Sequence, residues 1–241
     1  MKSKKGSHVG MVLSFVVFVV FVIFLYDILA PAISRDESKQ AALDNLKAKL
    51  DEALSLDSII ISLKINESHI FNEDCFELEE GNITSLYSDK NFAVKDDAGQ
   101  LFGYLIDGKK LRIALNGTQN KFFRIYISDN FNNAFSTITG SCDDVEENHT
   151  IGNIRIEKHF SENEIKNLIT LYEADYEKIK KDFDLPLDIE FGLMFNDSRG
   201  VEIKTTKSVP GSVNIYVEEV PIQYLDTEAN LKPGKLKITV W

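Results

Sequence analysis

Histidine and cysteine are scarce in this chain of 241 residues, which has four histidines and two cysteines. The histidines are dispersed, so no pair has the spacing of a metal site and no His/Cys cluster predicts zinc. A glycine-rich phosphate loop, a nucleophile elbow and a nucleotide-binding fingerprint are missing as well. Paired carboxylates are plentiful, but their proximity in the sequence does not define catalytic geometry. We therefore predict that the protein is not an enzyme and needs no metal or cofactor.

Basic residues are also in short supply, because 27 lysines and arginines face 38 aspartates and glutamates, for a net charge of −11. Residues 1–35 carry four basic side chains and one acidic one, a charge of +3, which leaves −14 for residues 36–241. A head this acidic repels the phosphates of nucleic acids and anionic lipids, which excludes nucleic acid as a partner. Its acidic clusters, such as Asp143 with Asp144, lack the spacing and the central glycine of a calcium loop and predict a solvated acidic face.

An almost unbroken apolar run occupies residues 11–33, behind a basic head with Lys2, Lys4 and Lys5. As a helix, about 23 residues span roughly 34 Å, which matches the hydrocarbon core of a bilayer. Positive charge before the run and acidic sequence after it predict a cytoplasmic N-terminus and an exported remainder. The sequence therefore predicts the membrane lipid bilayer as a partner of the protein.

Three interpretations of this run compete. A cleaved secretory signal would use the small residues around Ala30 and Ala32 as its site, but the run is longer than the usual 7–15 residues of such signals. An uncleaved anchor is favoured over a signal peptide by the density of Phe, Val, Ile and Leu. Asp27 lies near the outer end of the run, where water relieves most of its penalty.

The third interpretation rests on a short Lys-rich leader that ends in glycine, at Gly6 or Gly10, and is followed by an apolar helix and a β-rich head. This order of parts resembles archaeal type IV pilin-like proteins, whose leader is removed and whose helix packs into a filament core. The glutamate usual at the fifth mature position of bacterial pilins is absent, as in many archaeal relatives, since that place is Met11 or Phe15. Four aromatic residues recur every third position and are candidates for helix packing, although ordinary lipid-facing filler explains them equally well: Phe15, Phe18, Phe21 and Phe24.

The rest of the chain predicts an α+β fold. A capping box at Ser34 and Glu37 begins an amphipathic helix over residues 34–56. Its apolar face packs on the following sheet or on neighbouring subunits, with the sheet favoured, and consists of Ala42, Leu43, Leu46, Leu50 and Leu54. Residues 57–241 alternate with period two between tight turns, which predicts an antiparallel β-rich extracytoplasmic head. One of its predicted strands covers residues 213–219. One further helix begins at a second capping box, Ser161, and ends near Phe183.

Cys75 and Cys142 both lie in the predicted exported part, where oxidising conditions allow one disulfide. Closing a loop of this length stabilises the fold by about 4 kcal/mol in the chain-entropy model. A nucleophilic role for Cys142 is disfavoured, because neighbouring acids raise the pKa of a thiol. The same part contains five glycosylation sequons, at Asn66, Asn82, Asn116, Asn148 and Asn196. Asn116, in a predicted hairpin turn, is the most accessible candidate.

Further stretches, namely residues 171–186 with Phe191, residues 220–226 and residues 232–241, are similar to parts of uncharacterised archaeal membrane-anchored proteins and imply no chemistry. Together these patterns predict a single-pass membrane protein with a leader at residues 1–10, a transmembrane helix at 11–33 and an exported head. The resemblance implies a structural or accessory subunit of a surface filament or secretion assembly, with like or related pilin-type subunits as partners. The alternative is a permanently anchored cell-surface module that recognises a sugar, a peptide or an envelope protein.

Overall fold

A single helix, α1, runs without a break from Ser7 to Leu54 in the computed structural model. The structure describes residues 7–79, 87, 89–132, 137–211 and 213–241, with side chains except those of residues 7–9 and 29–37. We predicted two helices with a boundary at Pro31 and Ser34, and the continuous helix corrects that expectation. Pro31 lacks a backbone N–H and so leaves one carbonyl of the helix without its helical partner. The proposed capping side chains, Ser34 and Glu37, lie outside the described ones.

The chain reverses directly from Leu54 into the first strand and then forms a head of strands with two helices between β9 and β10. Its strands are β1 Ser55–Ile65, β2 Cys75–Glu79, β3 Asn91–Asp96, β4 Leu101–Phe102, β5 Tyr104–Asp107, β6 Lys110–Ala114, β7 Phe122–Ser128, β8 Asp143–Asp144, β9 His149–Ser161, β10 Phe191–Asn196, β11 Glu202–Lys204, β12 Tyr216–Leu225 and β13 Leu231–Val240. The helices are α2, Glu162–Ala174, and α3, Tyr176–Asp182. A 3-10 turn at Glu146–Asn148 precedes β9.

The strands form two sheets, of nine strands in the order β11-β10-β13-β12-β9-β1-β7-β3-β4 and of four strands in the order β5-β6-β2-β8. The fold is α+β as predicted, but the sheets are mixed rather than antiparallel. Tyr224 of β12 pairs with Phe160 of β9 in a parallel register, and Phe76 of β2 pairs in parallel with Asp143 of β8. Period-two alternation indicates strands without indicating their direction, so neither parallel pair could be predicted from the sequence.

Two helices replace the single one that we predicted between Ser161 and Phe183. The Ser161 hydroxyl accepts a hydrogen bond from the backbone N–H of Glu164, as expected of the N-cap residue of α2. The helix then breaks at Asp175, whose carboxylate accepts from the N–H of Lys178 and caps α3. An aspartate satisfies the free amides of a new helix start, which compensates for the interruption.

Two large buried clusters and a small third one, formed by Ala93, Phe131, Leu225 and Ala229, support the head. The helix core joins the second half of α1 to α2, α3 and strands β10, β12 and β13, and its buried side chains include Leu46, Tyr172 and Phe191. The strand core lies between the β1-β7-β3 part of the large sheet and the small sheet, and its members include Leu63 and Phe76. Because β1 pairs with both β7 and β9, the two halves of the head share one sheet.

The turn at Asn116 and Gly117 has the predicted local chemistry but a different role. Both residues have positive φ, 52° and 78°, the left-handed conformation that Asn and Gly tolerate. The flanking strands β6 and β7 do not form the expected hairpin, because β6 lies in the small sheet and β7 in the large one. Leu111 of β6 and Phe123 of β7 both reach the strand core from its opposite sides. The turn therefore connects two layers.

A buried polar network joins the two halves. Lys95 of β3, 5% exposed, donates to Asn230 Oδ1 at 2.6 Å, and Asn230 Nδ2 donates in turn to Asp226 Oδ2 at 2.9 Å. Asp226 also pairs with Lys232 at 2.6 Å and accepts from the N–H of Glu228. Burial raises the pKa of Asp226, but the hydrogen bonds from Lys232, Asn230 and backbone amides outweigh it and hold that pKa below its ordinary value.

Asp226→Asn tests this network. The amide keeps an oxygen for the turn but loses the charge that faces Lys232, so we expect unfolding free energy to fall by about 1–3 kcal/mol at neutral pH. A lowered folded-state pKa stabilises above the unfolded value of about 3.9, and that benefit disappears as pH falls towards the folded value. Denaturant titrations of both proteins from neutral to acid pH should show the gap closing in acid. A gap that is the same at every pH contradicts the charge-based explanation.

Candidate functional site: the anchor helix and its groove

The first half of α1 projects from the head with its apolar side chains uncovered. Gly10–Ile28 is the one helical segment, among the described residues, that is long and apolar enough to cross a membrane. Its 19 residues span about 28 Å, close to the roughly 30 Å of a bilayer's hydrocarbon core. The four candidate packing residues are all 55–65% exposed and belong to no core of the head: Phe15, Phe18, Phe21 and Phe24. This half of α1 needs an apolar environment from outside the chain.

The second half of α1 is built into the helix core. The residues that we predicted to form its apolar face are each at most 6% exposed: Ala42, Leu43, Leu46, Leu50 and Leu54. Their contacts are with β12, β13 and α2, which confirms the sheet as the partner of this face. Asn45 Nδ2 also donates to the carbonyl of Phe183, just after α3, at 3.2 Å. The head therefore holds the helix on its apolar side and at one polar point.

Two lysines on α1 fix its direction relative to β12. Lys39 Nζ donates to the carbonyl oxygen of Asn214 at 3.1 Å, and Lys47 forms an ion pair with Glu218. Eight helical residues rise about 12 Å, and four extended residues cover about 13 Å. Both segments therefore advance the same way, and residues before Asn214 lie towards the apolar half of the helix.

An apolar groove of about 390 Å³ opens where α1 crosses β12 and β13. Its rim carries Asp44, Lys47 and Asp51 of α1. Its walls are apolar side chains of the head: Phe160, Val220, Ile222, Leu236 and Ile238. The volume lies at the lower end of the range for small-molecule sites. It suits a few apolar side chains or a small apolar ligand better than a polar substrate.

The groove was not predicted from the sequence, because β12 extends beyond the strand that we expected there. We expected a strand over residues 213–219 only. In the structure β12 continues through Pro221 to Leu225. Among the described residues, β12 pairs across its second edge only at Tyr224 and Leu225, so a proline at position 221 leaves no ladder bond unmade there. The continuation places Ile222 in the groove wall.

The disulfide between Cys75 and Cys142 is present, as predicted, with the two Cα atoms 4.8 Å apart. It ties the start of β2 to the residue before β8, beside the parallel pair that these strands form. Asp143 accepts from the backbone N–H groups of Asn72 and Glu73, both at 2.8 Å. The bridge and these hydrogen bonds together hold residues 72–75 against β8.

The four sequons in the described residues differ in their surroundings, and Asn82 lies outside them. Asn66 and Asn116 are exposed, and Asn66 Oδ1 accepts from both N–H and hydroxyl of Ser68. Asn148 and Asn196 are partly buried, and Asn196 Oδ1 is buried without a hydrogen-bond partner within the described part of the chain. The geometry therefore favours Asn66 and Asn116 as modification sites.

Glu77, a carboxylate of the small sheet whose pKa is lowered, has a structural role. Glu77 of β2 faces Lys110 and Arg112 of β6, with 2.9 Å between Glu77 Oε2 and Arg112 Nε. The hydrogen bond from Lys110, together with that from Arg112, holds the pKa of Glu77 below its ordinary value despite burial. Glu77 and Arg112 are direct cross-strand neighbours, an arrangement that stabilises a sheet. In the ranges that the structure describes, no group of three His, Cys, Asp or Glu side chains could hold a metal ion.

Of the two glycines proposed to end a leader, the structure describes only Gly10. Gly6 lies outside the described residues, whereas Gly10 lies within α1 and an added Cβ there would meet no atom within 4 Å.

Comparison of the chain with protein-family models, curated proteins and solved structures gives no match in any of the three. The features that bear on function are therefore those of α1 and the groove.

Proposed function

We propose that this protein is a single-pass membrane-anchored subunit with an extracytoplasmic head, of the type IV pilin-like kind, that assembles with like or related subunits in a surface filament or secretion assembly. The N-terminus lies in the cytoplasm, and the head follows the apolar half of α1 on the outside. The observation that carries the proposal is the continuity of α1, because one 48-residue helix has an uncovered apolar half and a half embedded in the head.

Continuity matters because it couples the two halves mechanically. A flexible linker after a membrane helix is sufficient for a tether, whereas an uninterrupted helix fixes the head at a set height and rotation about the anchor. An assembly built by packing such helices side by side would therefore place every head in a defined position. This coupling supports a structural subunit over a simple tether.

The mechanism is a change of apolar surroundings. In the bilayer, side chains such as Phe18 and Phe21 are covered by lipid, and in an assembly they are covered by equivalent side chains of neighbouring helices. Full burial of one such side chain is worth about 1.5–3 kcal/mol relative to water. Transfer from lipid to a helix bundle keeps this contribution, so the association is decided by packing between helices.

The groove supports the second candidate function, a permanently anchored surface module. Its apolar walls and charged rim combine the features of a small binding site. In this alternative the head recognises an external ligand and α1 stays in the bilayer. The two functions differ in what happens to the basic leader, because only the pilin-like one requires its removal while the apolar helix is retained.

Intact mass and N-terminal sequence of the protein from its native membrane test the proposal. We expect a chain that begins at Ser7 or Met11. A start at Met1 favours the anchored module, and a start directly after Ala32 makes the protein secreted and contradicts both functions.

Gly6→Ala and Gly10→Ala provide the matched test of processing. The variant at the residue that precedes the cleaved bond should retain the full-length chain, whereas Gly152→Ala should mature normally. Gly152 is a suitable control, because an added Cβ there would meet Ser62 at an ordinary 3.5 Å. Normal maturation of both leader variants contradicts cleavage after a leader glycine.

A further inference from the structure

One end of the head faces the membrane-spanning half of α1. Because α1 and β12 advance in the same direction, as the contacts of Lys39 and Lys47 require, the residues before β12 lie on the side of the anchor. We call residues 207–211 and 213–215 the membrane-facing segment. Asn214, which accepts from Lys39, ties this segment directly to α1.

The membrane-facing segment exposes apolar side chains in an otherwise acidic head. Val209, Val213 and Ile215 are 37%, 37% and 49% exposed. Residues 203–217 contain two lysines, Lys204 and Lys207, and no aspartate or glutamate. Exposed apolar side chains in a stretch without carboxylates suit the boundary between lipid headgroups and acyl chains.

Two acidic side chains beside this segment are already engaged within the protein. Glu190 accepts from Lys207, whose ammonium also lies 3.5 Å from the centre of the Tyr176 ring. Glu173 accepts from the backbone N–H of Thr206 at 2.7 Å. These contacts shape the base of the segment and partly neutralise its negative neighbours.

The distances allow the segment to reach the bilayer. From Ile28, the last residue of the apolar span, to Lys39 the helix rises about 16 Å. The headgroup layer covers roughly 5–8 Å of that distance, so a gap of about 10 Å remains at the height of Lys39. Fully extended, the five residues from Asn214 back to Val209 would reach up to about 17 Å, which is more than the gap. This reach is an upper limit, because Gly211 lies in a turn and Val213 in a bend.

We propose that the membrane-facing segment inserts Val209, Val213 and Ile215 into the headgroup layer of the bilayer that holds α1. The head thereby rests on the membrane as long as α1 spans it. This inference depends on the anchor of the proposed function, and it adds a second contact between protein and lipid.

The test uses the full chain in nanodiscs of phosphatidylcholine that contain a lipid with a quencher near the headgroup. Val213→Cys is labelled with an environment-sensitive dye, which is selective because Cys75 and Cys142 are paired. Leu231→Cys is the control, since Leu231 is 50% exposed and lies at the opposite end of the β12–β13 hairpin. Val17→Cys, with a second quencher deep in the acyl chains, reports on the anchor.

We expect loss of emission by the lipid quenchers for labels at positions 213 and 17, and unchanged emission at position 231. Quenching at 17 without quenching at 213 overturns the docking of the head and leaves the anchor intact. Emission at 17 that the deep quencher leaves unchanged overturns the anchor itself. A label at 213 that is shielded from an aqueous quencher but not reached by the lipid quencher identifies a protein contact and also overturns the inference.

Discussion

Leu46→Ala is expected to lower the free energy of unfolding by about 2–5 kcal/mol, the usual cost of truncating a fully buried leucine. Leu46 is 0% exposed and lies in the helix core, where the second half of α1 meets β12 and β13. The substitution leaves a cavity, because the surrounding helix and sheet cannot collapse completely into the vacated space. The cost therefore includes the contacts that the leucine made on several sides.

Lys47→Ala is the matched control on the next residue. Lys47 is 46% exposed and its ion pair with Glu218 is partly solvated, so we expect a change of at most about 1 kcal/mol. Trp241, the single tryptophan, reports the unfolding by fluorescence, because its ring packs 3.3 Å from where a Cβ of Gly192 in β10 would lie. Equal effects of the two substitutions would show that α1 is not anchored through its leucine face.

The apolar periodicity of α1 predicted its buried face correctly, residue by residue, because three- and four-residue spacing has one structural solution in a helix. The same sequence misled us at Pro31, where local rules predict a boundary. The missing N–H costs one hydrogen bond, and packing of the second half of α1 in the helix core makes that cost tolerable. Local chemistry at a proline does not include the contributions of distant packing.

The pairing of strands also depends on distant contacts that the local sequence does not show. The turns at Asp107–Gly108 and Asn116–Gly117 look alike in sequence, yet the first joins a hairpin, β5–β6, and the second leads from one sheet to the other. Alternating residues on β6 and β7 satisfy either outcome, since both strands have one buried face in the strand core. Only the position of the opposite sheet decides between them.

Of the two parts of the candidate site, only the uncovered half of α1 was predictable from the sequence, whereas the groove was not. The uncovered half of α1 is visible in composition, because a run of Phe, Val and Ile with almost no polar side chain needs no tertiary information. The groove depends on the crossing of α1 over β12 and on the continuation of β12 past Pro221, neither of which has a sequence signature. The membrane-facing segment likewise follows from the contact of Lys39 with Asn214, two residues 175 positions apart.

Val17→Arg with Phe21→Arg is expected to abolish insertion of α1 into the membrane. Residues 10–28 contain 14 Leu, Ile, Phe and Val residues, each worth about 0.3–0.6 kcal/mol of insertion, or roughly 4–8 kcal/mol in total. Two arginines near the helix centre cost about 2.5–3.5 kcal/mol each, which cancels that gain. Both replaced side chains are exposed in the protein, at 62% and 55%, so the head keeps its packing.

Met11→Arg with Tyr26→Arg is the matched control, because arginines near the ends of the span extend to the headgroups and cost far less. Flotation on a density gradient and alkaline extraction should find this control in the membrane fraction and the central double variant outside it. Membrane retention of the central variant would contradict insertion of α1 as the anchor. The membrane-facing segment does not explain such retention, because its three apolar side chains bind lipid reversibly by themselves and should be released by alkaline extraction. The two kinds of contact are thus separable by one fractionation, because only a spanning helix resists extraction.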